Sequence, residues 1–177
     1  MQNKQSCFKS VKIYLLGYMG CGKTTTAKRL SNRLKLNFLD LDEFIEAKYQ
    51  VSIKDIFQEK GEEAFREIER EALHATFALK DTIISTGGGT PCFFDNIEQI
   101  NKNGISIYLE ASVGTLVQRL LNAKVQRPLI VGKSKNELSD FIMESLYQRE
   151  RFYKKAYISV DVYKLNFNEL IRMIRGF

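Results

Sequence analysis

The chain lacks any long apolar run. Nothing in its 177 residues approaches the ~20 consecutive apolar residues of a membrane-spanning helix. Residues 1–10 are polar and have no signal-peptide core. Cysteine is scarce: Cys7, Cys21 and Cys92 are odd in number and lack metal-ligand spacing. They read as reduced thiols, so a cytoplasmic protein away from membranes is expected. The single histidine, His74, falls mid-helix and reads as packing or surface. No internal repeat, low-complexity tract or interdomain linker is present, so one domain over 1–177 is expected, with no room for a separate motor or regulatory domain. The net charge is +6 and the isoelectric point near 9.2. That balance fits either nucleic-acid binding or anionic ligands. The basic residues form no long run and no RNA-binding signature interleaves them with aromatics, so nucleic acid is not expected as a partner.

One motif stands out. Gly17-Tyr18-Met19-Gly20-Cys21-Gly22-Lys23-Thr24 fits G-x-x-x-x-G-K-[ST], the phosphate-binding P-loop. A strand-like run precedes it and a helix-like run follows, which is the context the motif needs. Its glycines let backbone N–H groups approach a polyphosphate, and the helix N-terminus adds positive potential. Gly20, Cys21, Gly22, Lys23, Thr24 and Thr25 are the expected nucleotide contacts. Lys23 is expected to face the phosphates of ATP, exposed to the nucleotide and not buried in the core. The Thr24 hydroxyl is placed to ligate Mg²⁺.

Five apolar runs, at 12–16, 37–39, 82–85, 105–109 and 158–162, alternate with helical stretches. That alternation predicts an α/β fold, a parallel sheet covered on both faces in a doubly wound sandwich. Two segments interrupt it. Residues 41–80 are too long for one crossover helix. Ser52-Ile53-Lys54-Asp55 predicts a helix start near 53, and Gly61 its end, with another helix from Glu62. This helical insertion is a natural acceptor site. Residues 123–136 are basic and irregular, either a mobile lid over phosphates or a plain surface loop.

Ligands collect beyond the carboxyl ends of strands in such sheets. After the second strand comes Asp40-Leu41-Asp42. In an extended chain the two carboxylates face one side. Asp40 then holds Mg²⁺ through water and Asp42 accepts the acceptor's hydroxyl proton. The plain alternative is helix capping, with Glu43 and Glu46 favouring the dipole. After the third strand comes Thr86-Gly87-Gly88-Gly89, bare backbone that can press on a small ligand. The strand lacks a terminal aspartate, a role passed to Asp40. Arg66 is flanked by Glu62 and Glu69 at helical spacing. It is either a braced carboxylate clamp or an exposed salt bridge.

These motifs together resemble shikimate kinase. The likeness runs from Lys12 to about Ala156: the P-loop, Phe38-Leu39-Asp40-Leu41-Asp42, Gly61-Glu62 with Phe65-Arg66 and Glu69, Gly87-Gly88-Gly89, Arg127-Pro128-Leu129, and Arg149 with Tyr153 and Ala156. The resemblance implies a three-layer α/β/α P-loop kinase fold with a five-stranded parallel sheet, the insertion at about 41–80 and a lid at about 123–136. It implies transfer of the ATP γ-phosphate to the 3-hydroxyl of shikimate, in chorismate and aromatic amino acid biosynthesis, by a monomer. Carried over, Lys23, Asp42 and Arg127 are the catalytic residues, with Arg127 also reaching the nucleotide from the lid. Asp42, Arg66, Gly87, Gly88, Gly89 and Arg149 bind shikimate, the two arginines clamping its carboxylate. Thr24 and Asp40 hold Mg²⁺. Arg119 either stacks on adenine or lies on a helix surface. Residues 161–164 form the adenine loop, although Val162 stands where the family often has threonine.

Overall fold

A computed structural model describes residues 11–123 and 132–177. Five strands, β1 (Lys12–Leu16), β2 (Asn37–Asp40), β3 (Thr82–Ser85), β4 (Ile105–Glu110) and β5 (Ile158–Asp161), pair in the order β2-β3-β1-β4-β5. Every pairing is parallel. The central strand shows why. Ile13, Tyr14, Leu15 and Leu16 are all fully buried, as a strand covered on both faces must be. The helices close those faces, giving the expected three-layer α/β/α architecture.

The helices are α1 (Lys23–Leu34), α2 (Leu41–Tyr49), α3 (Ile53–Ala75), α4 (Asn96–Asn103), α5 (Val113–Leu121), α6 (Lys135–Tyr153) and α7 (Phe167–Arg175). Side-chain caps explain several starts. Ser52 accepts from the Asp55 N–H at 3.1 Å, where the sequence predicted it. Ser112 caps α5 and Asn166 caps α7. Ser134 and Glu137 form a reciprocal capping box at α6. Helix therefore begins at Lys135, and the irregular stretch expected to reach 136 ends earlier.

Gly61 breaks α3 as expected. Its backbone, φ 79° and ψ 177°, lies in a region nearly restricted to glycine. The insertion is thus α2 followed by two helical segments meeting at Gly61, and then a 3₁₀ turn, Thr76–Ala78.

Three strand ends differ from expectation: β2 and β4 each run one residue further, to Asp40 and Glu110, and β5 is one residue shorter. β5 stops at Asp161, not Val162, because the Asp161 carboxylate accepts from the Tyr163 N–H at 2.8 Å and its carbonyl accepts from the Lys164 N–H at 3.0 Å. This aspartate-centred turn pulls the chain away from the ladder.

Candidate active site

The carboxyl ends of β1, β2 and β3 lie side by side. They meet where the strand order switches, with β3 and β4 flanking β1. One polar cavity opens there, lined by Gly20, Gly22, Lys23, Thr24, Thr25, Asp40 and Asp42, together with Met19, Ser85, Thr86 and Gly88.

The P-loop connects β1 to α1 and bends at Gly17, Gly20 and Gly22, all with positive φ. Gly22 is the N-cap of α1 and supplies no side-chain cap. The first N–H groups of the helix are left for an anion. Cys21, an expected contact, is buried and does not line the cavity.

Lys23 departs from the expectation of an exposed side chain. It is buried, and its ammonium donates to the carbonyls of Gly17 at 2.8 Å and Tyr18 at 3.1 Å. A lone ammonium pressed against a loop seeks the nearest carbonyls. Two of its three donors are thereby engaged, and the charge still lines the cavity.

Thr24 donates to Asp40 Oδ2 at 2.8 Å and lies 3.3 Å from the Ser85 hydroxyl. Ser85 ends β3 in register with Asp40. It occupies the strand end where the sequence lacked an aspartate, and the strand-end rule could have singled it out. Three hard oxygens thus cluster beside the P-loop, a donor set that suits Mg²⁺. Among the described residues no group of three or more His, Cys, Asp or Glu could hold a metal.

Asp40 also caps α2: its Oδ1 accepts from the Asp42 N–H at 3.1 Å. Capping and cavity-lining are therefore both true of Asp40. The extended geometry expected for the pair is wrong. The chain turns helical at Leu41 because the Asp40 cap nucleates α2, and Asp42 sits in its first turn. Both carboxylates still reach the cavity, brought there by a strand end and a helix start.

The triple-glycine loop holds the next surprise. None of Gly87, Gly88 and Gly89 has a positive φ. Space, not conformation, calls for glycine. A Cβ on Gly87 would lie 2.6 Å from Glu69 Oε1 and 3.0 Å from Asp42 Oδ1; one on Gly89 would lie 2.7 Å from Arg66 Nη1. A 3₁₀ turn, Thr90–Cys92, closes the loop. It is a packed wedge between the insertion and the P-loop.

Arg66 is buried, 8% exposed, so it is not the exposed salt bridge the sequence allowed. Nη1 donates to Glu69 at 2.7 Å and Nη2 to Glu62 at 2.9 Å. Phe93 lies 4.1 Å beneath the guanidinium. Glu69, 1% exposed, also accepts from the Thr90 hydroxyl at 2.5 Å. Arg149 comes from α6, its guanidinium 5.6 Å from the Tyr18 ring. Among the described residues it has no carboxylate partner within ion-pair distance. Both guanidiniums act on one thiol. Burial pushes Cys92 up to about 11, while Arg149 and Arg66 pull it down. The two arginines therefore converge from different elements on the loop 87–92. Tyr153 ties α6 to that loop: its hydroxyl donates to Gly88 O at 2.6 Å, and burial drives its pKa well above the usual tyrosine value.

Other expectations remain. Arg119 donates to Cys21 O at 2.7 Å, bracing the P-loop from α5. Arg127, with Lys124 and Pro128 and so most of the segment 123–136, lies outside the described residues. His74 packs on Phe77 at 5.0 Å, remote from the cavity in role and contact. No helix is long and apolar enough to cross a membrane, among the described residues.

Known proteins resemble this chain in sequence and fold. The family model for shikimate kinase matches residues 19–174. A shikimate kinase of Parabacteroides distasonis is 50% identical over 154 residues, 87% of this chain and 89% of that protein. The crystal structure of shikimate kinase from Bacteroides thetaiotaomicron superposes with a TM-score of 0.87 at 37% identity, covering 95% of this chain and 98% of that one. Shikimate kinase from Acinetobacter baumannii in complex with shikimate gives 0.84 at 30% identity, over 95% and 94%.

Proposed function

The chain belongs to the shikimate kinase family, and from that premise we propose that it transfers the γ-phosphate of ATP to the 3-hydroxyl of shikimate, yielding shikimate 3-phosphate and ADP. The observation that carries the site assignment is the wedge of Gly87 and Gly89. It sets Asp42, Glu69 and Arg66 around one loop, directly beside the P-loop cavity.

In this reading the acceptor lies across that loop. Arg66 and Arg149 take its carboxylate, because two guanidiniums from separate elements can saturate both oxygens. Asp42 orients the attacking hydroxyl and accepts its proton. Lys23 and the first N–H groups of α1 neutralise the β- and γ-phosphates. Mg²⁺ would be held by Thr24 and, through water, by Asp40, with Ser85 beside them. When bound it supplies positive charge to the phosphate oxygens. Arg127 reaches the transferring phosphate from a lid spanning about 123–136. Transfer of this kind needs alignment and charge neutralisation more than covalent help.

The same reading treats 1–177 as one kinase domain, working as a monomer in the cytoplasm. Every group named above comes from one chain, and the free thiols of Cys21 and Cys92 suit a reducing compartment. The test is ADP release coupled to NADH oxidation, with ATP and Mg²⁺ present. Shikimate should raise the rate by orders of magnitude. Gluconate and nucleoside monophosphates should leave it at the background.

A further inference from the structure

Arg66 and Arg149 serve one proposed clamp but are held in opposite ways. Arg66 is paired with two carboxylates, Glu62 at 2.9 Å and Glu69 at 2.7 Å. Glu69 is buried, so much of the Arg66 charge is answered inside the protein. Arg149 forms no ion pair among the described residues. Its charge is felt by Tyr18, Tyr153 and Cys92. Burial is the largest influence on each of these groups and raises its pKa, and Arg149 offsets that only in part. All stay neutral near pH 7, so none cancels the guanidinium.

Tyr18 lies in the P-loop and is 1% exposed. The Arg149 guanidinium stands 5.6 Å from the centroid of its ring, inside the ~6 Å reach of a cation–π contact. The Tyr18 hydroxyl is buried and has no hydrogen-bond partner. Ser145, one turn before Arg149 on α6, is the hydroxyl that acts on it, but it stays out of bonding reach. A buried hydroxyl with no partner costs stability. Hydrogen bonding therefore does not explain a tyrosine at this place, and the contact made by its ring does.

The same residue belongs to the phosphate side. Tyr18 O accepts from Lys23 Nζ at 3.1 Å and from the Cys21 N–H at 3.2 Å. Its backbone packs on the glycine loop: a Cβ added at Gly88 would lie 3.8 Å from Tyr18 C. One residue thus joins the phosphate loop to the arginine of α6.

We propose that Tyr18 is a positioning residue for the acceptor: its ring seats the Arg149 guanidinium without neutralising it, leaving that charge for the acceptor's carboxylate. The proposal rests on the reading of Arg149 as a ligand of that carboxylate. A carboxylate in place of the ring would hold the arginine but cancel its charge. A π face leaves the N–H donors at the guanidinium edge free. Arg66 then contributes mainly geometry to the clamp and Arg149 mainly charge.

The test varies ring electronics at nearly constant shape. Tyr18→Phe removes only the unpartnered hydroxyl. Trifluorophenylalanine in place of Tyr18 also drains negative potential from the ring face. Steady-state kinetics are run in varied shikimate at saturating ATP, and in varied ATP at saturating shikimate. Tyr18→Phe should hold the shikimate KM within about twofold of the parent. The trifluoro ring should raise it about threefold or more over Tyr18→Phe, with kcat and the ATP KM within about twofold. Tyr18→Leu, which has no π face, should raise it at least as far. In an Arg149→Ala background the Phe and trifluoro forms should share one kcat/KM for shikimate. A ring that merely fills space gives no fluorine effect, or the same effect without Arg149, and either result would overturn the proposal. So would a Tyr18→Phe protein as impaired as the trifluoro form. An unchanged shikimate KM in Arg149→Ala alone would refute the clamp, and the proposal with it. A raised KM there beside an inert fluorination would refute the proposal and leave the clamp standing.

Discussion

Replacing Gly89 by alanine adds one methyl group and tests the clamp. Gly89 has φ −91°, an ordinary value, so alanine brings no backbone strain there. Its Cβ would lie 2.7 Å from Arg66 Nη1, 2.8 Å from Nη2 and 2.9 Å from Cζ. Ordinary contact begins near 3.4 Å, so the guanidinium must retreat by about half an ångström or more. It has little room. Glu69 and Glu62 hold it at 2.7 and 2.9 Å, and Phe93 lies beneath it at 4.1 Å. The retreat removes one charge-assisted hydrogen bond to the acceptor carboxylate, worth about 1.5–3 kcal/mol. At about 1.4 kcal/mol per decade, the shikimate KM should rise roughly 10- to 150-fold. The ATP KM should stay within about twofold. Gly61→Ala is the matched control. Its Cβ meets nothing within 4 Å, yet φ 79° and ψ 177° make alanine cost about 1–3 kcal/mol of stability. It should lower the melting temperature and leave the shikimate KM alone. The assay is steady-state kinetics in varied shikimate at saturating ATP, beside thermal unfolding of both variants. A shikimate KM within twofold of the parent, in a Gly89→Ala protein of unchanged stability, would refute the reasoning.

Other substitutions separate the remaining roles. Lys23→Ala should cut kcat by about 10²–10³ and leave a folded protein; near-normal turnover would remove the P-loop lysine from the mechanism. Asp42→Asn should lower kcat about 10²–10⁴-fold with ATP binding intact, as measured by nucleotide titration; because Asp42 follows the Asp40 cap, a lost helix signal would instead mark it as structural. Tyr153→Phe removes the 2.6 Å bond to Gly88 O and should raise the shikimate KM about threefold to tenfold with little change in the ATP KM. Cys92, with its thiol pushed up to about 11 from 9.0 by burial, should react with iodoacetamide more slowly at pH 8 than a free cysteine. The native state keeps a proton that the unfolded chain releases above pH 9. The thiol's contribution to stability is therefore full below 9 and is lost as pH rises toward 11, which denaturant midpoints in parent and Cys92→Ser will show.

Much of the fold was legible because burial on both sheet faces leaves an unmistakable pattern. Ile13 to Leu16 form a continuous apolar run, and such runs alternate with helical ones. The helix starts were legible where a side chain caps them, as Ser52 does. Asp40 shows the limit. One carboxylate caps α2, accepts from Thr24 and lines the cavity, and sequence alone cannot say that a residue does all three. Asp42 was placed correctly for a wrong reason: a helix turn, not an extended strand, carries it to the site. Ser85 escaped notice because serine at a strand end carries little signal until its neighbour in register is known. The three glycines were read as bare backbone for a ligand. Their tightest constraint comes from Glu69, Asp42 and Arg66, side chains distant in sequence, and contacts of that kind are invisible before folding. Lys23 was expected to be exposed, but backbone carbonyls of its own loop draw it inward.

The central claim is that the cavity beside the P-loop passes phosphate to the 3-hydroxyl of shikimate. Its most direct test is ³¹P–¹H correlation spectroscopy of the product formed from ATP, Mg²⁺ and shikimate. The account predicts a single new phosphate ester whose phosphorus couples to the proton on carbon 3, formed in step with ADP. Phosphorus coupled to another ring position, or ADP and free phosphate released without an ester, would contradict it.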